Sequence, residues 1–517
     1  MTMMRGVASG PAHPRAAIPT GIGGTALPLL AGGLAMGALY LFYAHVYPLH
    51  HDLGGGVLSG ALAVELGAAY GDYVPYFPPM EKAWFTTAWH LGQATGLGGA
   101  LAVILMSTLV SLIGAWLAYA IRRRAVGAGP AFFLVPLAIL LVVPILYKNI
   151  FGLREPLVLA GLWPYLVLRV SDPAGDRIGP KLRAILGLWL GVTLLFKYLY
   201  AAVVLLVELA DAAVQRRIRT LFRIENLIAG GVVACYLLLW FIDPAQREAI
   251  SMMMSAIDAN LRSGSDKLER ALVILLPALL ALLLLRVSKV PVRHIALGGA
   301  VMAGVILVAA VQERWYTHHV FPIVMGIVFL RWLAGNRLRW WGELVFLLCI
   351  LPHVVRAFAE THQYRAADRE LERVIEAAGE RVEGKRIGVL NMHPSPYNQY
   401  LAGAGALRWN PMVNTAYVAA ELAPADVPAN DGVAPVMPLE HPGRVALHDR
   451  MIRLWIDRPP DALLFSKGAT WPLRHVEVDW ATAFSRDPRF AAILADYDLV
   501  IDHEGEEVSF SYYVRRD

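Results

Sequence analysis

About eleven stretches of this chain are too apolar, over too great a length, to be hidden by anything except lipid. A helix that crosses a bilayer needs about 20 mostly apolar residues. The runs are Leu27–Tyr47, Leu97–Ile121, Ala131–Tyr147, Pro156–Leu168, Ala184–Phe196, Tyr198–Leu209, Leu227–Ile242, Ala271–Leu285, Ile295–Val311, Val320–Leu330 and Gly342–Val355. The first is too long for the apolar core of a signal peptide, and no small-residue cleavage site follows it. It is read as a retained anchor. The short neighbouring runs around Arg154 and Lys197 are expected to pair inside the protein, not to face lipid. Composition agrees: 57% of the 517 residues are apolar and 17% charged, and mean hydropathy is +0.50. Soluble proteins are about 45–50% apolar, so an ordinary soluble enzyme is excluded, as is a disordered chain. Cys235 and Cys349 both lie in apolar runs and are expected as free thiols.

The basic residues orient the spans. With the N-terminus in the cytoplasm, the inside loops hold Arg122–Arg124, then Arg177, Lys181 and Arg183, and then Arg216, Arg217, Arg219 and Arg223. Arg286, Lys289 and Arg293 follow, then Arg331, Arg337 and Arg339. About 19 Lys/Arg fall inside against about 9 outside before Val355, and the alternation holds loop by loop. The net charge of +5 is therefore read as cytoplasmic loop charge, not as a nucleic-acid surface. Three regions result: a cytoplasmic tail over 1–26, a multi-span body over 27–356 and an extracytoplasmic domain over 357–517. In the last, Ala357–Glu383 has a charged helical pattern. Arg386–Asn391, Ala462–Phe465 and Leu499–Asp502 read as buried strands, with helix over Trp480–Leu494. The expected fold is a polytopic α-helical membrane protein with a C-terminal α/β domain, in the plasma (inner) membrane.

On this topology every outside loop brings an ionisable group to one face. The first carries His50, His51, Asp52, Glu65, Asp72 and Glu81, and the second Lys148, Arg154 and Glu155. The third is a turn at Lys197, and a later one holds Gln312–His319. Such groups are costly near a bilayer unless paired or wet, so a polar cavity at the outer boundary is expected. Asp52 follows the first span by a few residues, and Gly54-Gly55-Gly56 beside it permits close approach of a ligand. A carboxylate there can take a proton from an attacking hydroxyl; on position alone it also fits a solvated loop aspartate. Asp72 and Glu81 bracket Tyr76-Phe77-Pro78-Pro79, a rigid extended strip. Lys148, Arg154 and Lys197 are cations at span ends, where a lipid phosphate is within reach. Lys197 also fits a snorkelling lysine. His318 and His319 beside Arg314 suit phosphate or a metal, though adjacent histidines point apart and make a poor metal pair.

Taken together, these elements resemble the GT-C glycosyltransferases, in particular the bacterial mannosyl- and arabinosyl-type enzymes that use polyprenyl-phosphate sugars. The resemblance rests on an acidic residue after the first span and on Tyr76-Phe77-Pro78-Pro79. It rests also on Gly152-Leu153-Arg154-Glu155-Pro156, on Gly191 to Lys197-Tyr198, and on Gln312-Glu313-Arg314-Trp315-Tyr316-Thr317-His318. Tyr198 stands where the family usually has proline, and no acidic pair directly follows the first span. The resemblance implies an inverting transfer from a polyprenyl-phosphate-linked sugar to a glycan or glycolipid hydroxyl on the extracytoplasmic face. It makes Asp52 the general base, and Arg154, Lys197, Arg314 and His318 the donor-phosphate ligands. Asp72, Glu81, Lys148 and His319 are further candidates. Membrane lipids are the other partners, and no metal or other cofactor is required. Two other readings stay open: a transporter or flippase of lipid-linked saccharide, and an enzyme like the O-antigen ligases and polymerases. The first needs polar groups at mid-bilayer and usually two related halves. Here the charges sit mostly at helix ends.

Overall fold

The computed structural model describes residues 23–45, 49–67, 79–147, 149–242, 266–312, 317–391, 395–410, 442–468, 479–485 and 487–516. The membrane portion runs α1 (Gly23–His45), α2 (His51–Leu66), α3 (Pro79–Thr95), α4 (Gly98–Val126), α5 (Leu134–Leu146), α6 (Arg154–Ser171) and α7 (Pro180–Leu194). It continues with α8 (Ala201–Gln215), α9 (Ile224–Ile242), α10 (Asp266–Val287), α11 (Val292–Val311), α12 (Thr317–Ala334) and α13 (Trp340–Ala377). Each of the eleven apolar runs falls on one of these helices. Among the described residues, six helices are long and apolar enough to cross a membrane: α1, α4, α8 with its preceding turn, α11, α12 and α13. The apolar parts of α5, α9 and α10 are shorter. Helix α6 is buried along nearly its whole length, as its short run predicts. Exposed leucines such as Leu34, Leu239, Leu276 and Leu347 face outward from the bundle.

Two helices were not expected. The segment read as the first outside loop folds into α2 and α3, which pack on each other. His50 caps α2, its Nδ1 accepting the Asp52 backbone N–H at 3.2 Å, and Gly67 ends the helix in the left-handed region at φ 61°.

Small residues let the helices approach closely, as membrane bundles require. A Cβ on Gly114 of α4 would lie 2.3 Å from the Ala160 carbonyl oxygen of α6. A Cβ on Gly187 of α7 would lie 2.6 Å from the Glu225 carbonyl oxygen of α9. At one end of α6, α7 and α8 these approaches close a buried ion network. Arg169 pairs with Glu208, and with Glu225 at 2.7 Å. Arg183 holds Glu225 at 2.6 Å and Asp172 at 2.5 Å. Asp211 takes Arg223 at 3.2 Å and Arg293 at 2.7 Å. Four arginines meet four carboxylates, so the cluster is electrically closed.

Helix α13 has 38 residues, about 57 Å at 1.5 Å each, and runs without a break across the expected boundary at 356/357. It delivers the chain to β1 (Arg386–Leu390), α14 (Tyr397–Gly403), β2 (Leu407–Arg408), α15 (Pro442–Asp457), β3 (Ala462–Ser466), α16 (Trp480–Phe484), α17 (Pro488–Leu494), β4 (Tyr497–His503) and β5 (Phe510–Arg515). The sheet order is β2-β1-β3-β5-β4, parallel over the first three strands and antiparallel at β5 and β4. Strands β1 and β3 match the expected buried strands; β4 forms where the third was expected, but as an edge strand of the sheet with Leu499 and Val500 exposed. The expected helix over Trp480–Leu494 is split at Asp487, which caps α17 ahead of Pro488. Trp455, Phe465, Trp480 and Phe490 form the domain core, and Leu62 and Ala63 of α2 belong to the same cluster. The amino-terminal half of α2, Leu53, Val57 and Leu58, belongs instead to the bundle core with Phe85 and Trp89. A single helix thus joins both bodies.

Replacing Arg169 takes from buried Glu208 the cation it pairs with and leaves it the Tyr165 hydroxyl. Arg169→Met is expected to cost about 3–5 kcal/mol, read as a fall in the melting temperature of the detergent-purified chain. Arg169→Met/Glu208→Met should recover most of it, because Glu225 keeps Arg183. An unchanged melting temperature in the single variant would show that the network carries no stability.

Candidate active site

The first turn of α2 carries His50, His51 and Asp52. The histidine rings stack with centroids 4.1 Å apart, and His51 meets the Tyr364 ring of α13 edge-on at 5.1 Å. Asp52 lies 3.7 Å from His50 Nδ1 and 3.8 Å from His51 Nε2. Both histidines are buried, whereas the Asp52 side chain is about one-third exposed, at 31%. A carboxylate that is open to solvent yet backed by two imidazoles can accept a proton and pass it on. The same three residues could hold a divalent cation, since one ligand atom from each lies within 4.8 Å of the others. A cation there would make Asp52 a ligand.

The glycines after Asp52 serve a different purpose from the one expected. A Cβ on Gly54 would lie 2.7 Å from the Asn398 carbonyl oxygen of α14, and one on Gly56 would enter the Phe85 ring at 2.2 Å. The Asn398 backbone and the Phe85 ring fill the space these two glycines leave. They seat the α/β domain on one side of α2 and α3 on the other.

A second group lies at the same end of the bundle. Lys197, in the link between α7 and α8, donates to Glu155 Oε1 at 2.6 Å, and both are buried. Arg154 Nη1 stands 3.4 Å from Glu81 Oε1 in the first turn of α3. Leu53, next to Asp52, lies against Gly152, two residues before Arg154. Lys197 is therefore turned inward on a carboxylate, which removes the snorkelling reading. Glu81 sits in α3, outside the six spanning helices. Burial pushes its carboxyl up to about 7, the nearby Glu155 charge adds to this, and Arg154 and Lys197 oppose it. The Arg154 contact, which favours the ionised form, is long at 3.4 Å. Along α6, Glu155 and Arg169 are about 21 Å apart at 1.5 Å per residue, so this group and the closed ion network occupy opposite ends of the bundle.

Of the residues singled out in the sequence, the structure brings Glu81, Arg154 and Lys197 together and sets Asp52 on the adjoining helix end. Asp72, Lys148 and Arg314 lie outside the described residues. His318 and His319 fall in the first turn of α12, with their side chains outside the described set. Glu155 had no role assigned in the sequence reading. Its signal was there: an acid beside Arg154 at the mouth of an apolar run, 42 residues from the one lysine that interrupts another.

The sequence matches no family model and no curated protein. In structure the chain is similar to the arabinofuranosyltransferase AftD from Mycobacteria, with 13% identity and a TM-score of 0.47 over 95% of this chain and 40% of AftD. It is also similar to ArnT from Cupriavidus metallidurans bound to undecaprenyl phosphate. There the identity is 12% and the TM-score 0.41, over 95% of this chain and 98% of ArnT. The chain spans well under half of the AftD chain. These likenesses are too distant to carry a function.

The Glu81 carboxyl is expected to titrate near neutrality, and Arg154→Met, which removes the main opposing charge, should raise its midpoint further. Difference infrared titration of the carboxyl band against Glu81→Gln reads both values. A midpoint in the ordinary carboxylate range near pH 4–5 would contradict the burial argument.

Proposed function

We propose that this chain is an integral membrane glycosyltransferase that moves a sugar from a polyprenyl-phosphate carrier to an acceptor hydroxyl on the extracytoplasmic face. The observation that carries the reading is the convergence at one bundle end of a solvent-open carboxylate, Asp52, with the Arg154–Glu81 and Lys197–Glu155 pairs. The order of the sequence motifs supports the same assignment, and the basic loops at the opposite end of the bundle support an outside location for this one.

In the proposed reaction the acceptor oxygen attacks the anomeric carbon while the bond from that carbon to the phosphate oxygen breaks. Configuration inverts. Asp52 takes the hydroxyl proton, and polyprenyl phosphate leaves with the bonding electron pair. Arg154 and Lys197 stabilise the charge that grows on the leaving phosphate. When Glu81 is protonated it no longer cancels Arg154, so Arg154, Lys197 and Glu155 together carry one net positive charge. Donor phosphate binding is therefore strongest below about pH 7 and weakens as Glu81 ionises. Arg314 and His318 belong to the same proposal as further phosphate ligands. The lipid tail lies between helices at the bilayer edge, which is why the chemistry is held at helix ends.

Asp52→Asn should lower sugar transfer by about 10²–10⁴-fold with folded yield unchanged, measured with a radiolabelled lipid-linked sugar. Full activity would move the base to Glu81 or Asp72. Lys197→Ala should raise the donor KM. The double variant Lys197→Ala/Glu155→Gln leaves no stranded carboxylate and so separates donor binding from folding. An unchanged donor KM in both would leave Lys197 as a structural partner of Glu155 only.

A further inference from the structure

We propose that Arg408 marks a binding site for one oxyanion, a phosphate or phosphate ester, at the joint between the α/β domain and α2. Arg408 ends the short strand β2 and is 2% exposed. Its Nη1 donates to Asn398 Oδ1, and its Nη2 to Asn391 Oδ1 at 3.0 Å. Its Nε has no hydrogen-bond partner, and neither has Nδ2 of Asn398, a residue with no exposed surface at all. Among the described residues no carboxylate pairs with Arg408. The contrast is with Arg169 and Arg183, which are as well buried and meet carboxylates directly.

Among the described residues this guanidinium is held only by neutral amides, and none of them offsets its charge. Burial pushes its pKa down to about 9, so it is still a cation at neutral pH. Desolvating such a charge costs several kcal/mol unless an anion meets it. Two orphaned N–H donors, one on the guanidinium and one on the amide that this guanidinium already grips, suit the several acceptor oxygens of a phosphate. The site lies beside the proposed catalytic helix, because the backbone of Asn398 is the surface against which Gly54 packs. It does not depend on the glycosyl-transfer reading.

The test uses the full chain in detergent, with inorganic phosphate and, in a second arm, glucose 1-phosphate, each at constant ionic strength set with chloride. A saturable rise in melting temperature of about 2–4 °C is expected, and Arg408→Met should abolish it. A rise with inorganic phosphate shows that the site takes the free anion. A rise with the ester alone shows that it takes a phosphate carried on a larger group. Asn398→Asp decides the matter even if the methionine variant does not fold. It supplies an internal anion, so it should raise the melting temperature without ligand and remove the phosphate response. No shift in the wild-type protein with either probe overturns the proposal. So does an undiminished response in either variant.

Discussion

A charge taken out of water must be met by an opposite charge or by strong hydrogen bonds, and this requirement organises the protein from one bundle end to the other. At the end near Arg169 the requirement is fully satisfied. Four arginines and four carboxylates close on one another across α6–α9 and α11, so the cluster itself is balanced in charge. At the other end it is satisfied less completely. Glu81 faces Arg154 at 3.4 Å without a good hydrogen bond, and Asp52 keeps part of its surface in water. The closed end holds the helices in register. The other end keeps its charges less closely matched.

Helix α2 connects this asymmetry to the C-terminal α/β domain. Its first turn carries Asp52, its middle packs against α3 in the bundle, and its last turns enter the aromatic core of the α/β domain. Glycines 54, 56 and 60 make those approaches possible, because a Cβ at any of them would overlap α14 or α3. The domain is therefore packed against the helix that bears the proposed base. It is also carried on α13, the helix whose Tyr364 touches His51.

Much of this was legible in the chain. Each apolar run became a helix because a buried backbone in lipid has only itself to bond to. The short run after Arg154 became the buried helix α6, since too few apolar residues were available to face lipid. Strands β1 and β3 were visible as short β-branched and aliphatic runs. The loop between the first spans was misread, because Asp52, Glu65 and Glu81 give α2 and α3 too polar a pattern for a spanning helix, and their glycines imitate a flexible loop. Strand β2 has two residues, and β5 carries two adjacent tyrosines and a serine, so neither offered a buried pattern. Arg408 was passed over for the same reason: in the sequence it is one more arginine.

The sequence by itself determined the apolar helices, the alternation of basic loops along the chain and the set of ionisable residues at the helix ends, because apolar length and charge placement are one-dimensional properties. Tertiary structure alone decided the pairings. Glu155 finds Lys197, Glu81 finds Arg154, Glu225 finds two arginines and Arg408 finds none among the described residues. Partners of this kind are 42 or more residues apart in several cases, and only the crossing of helices brings a carboxylate within reach of a cation.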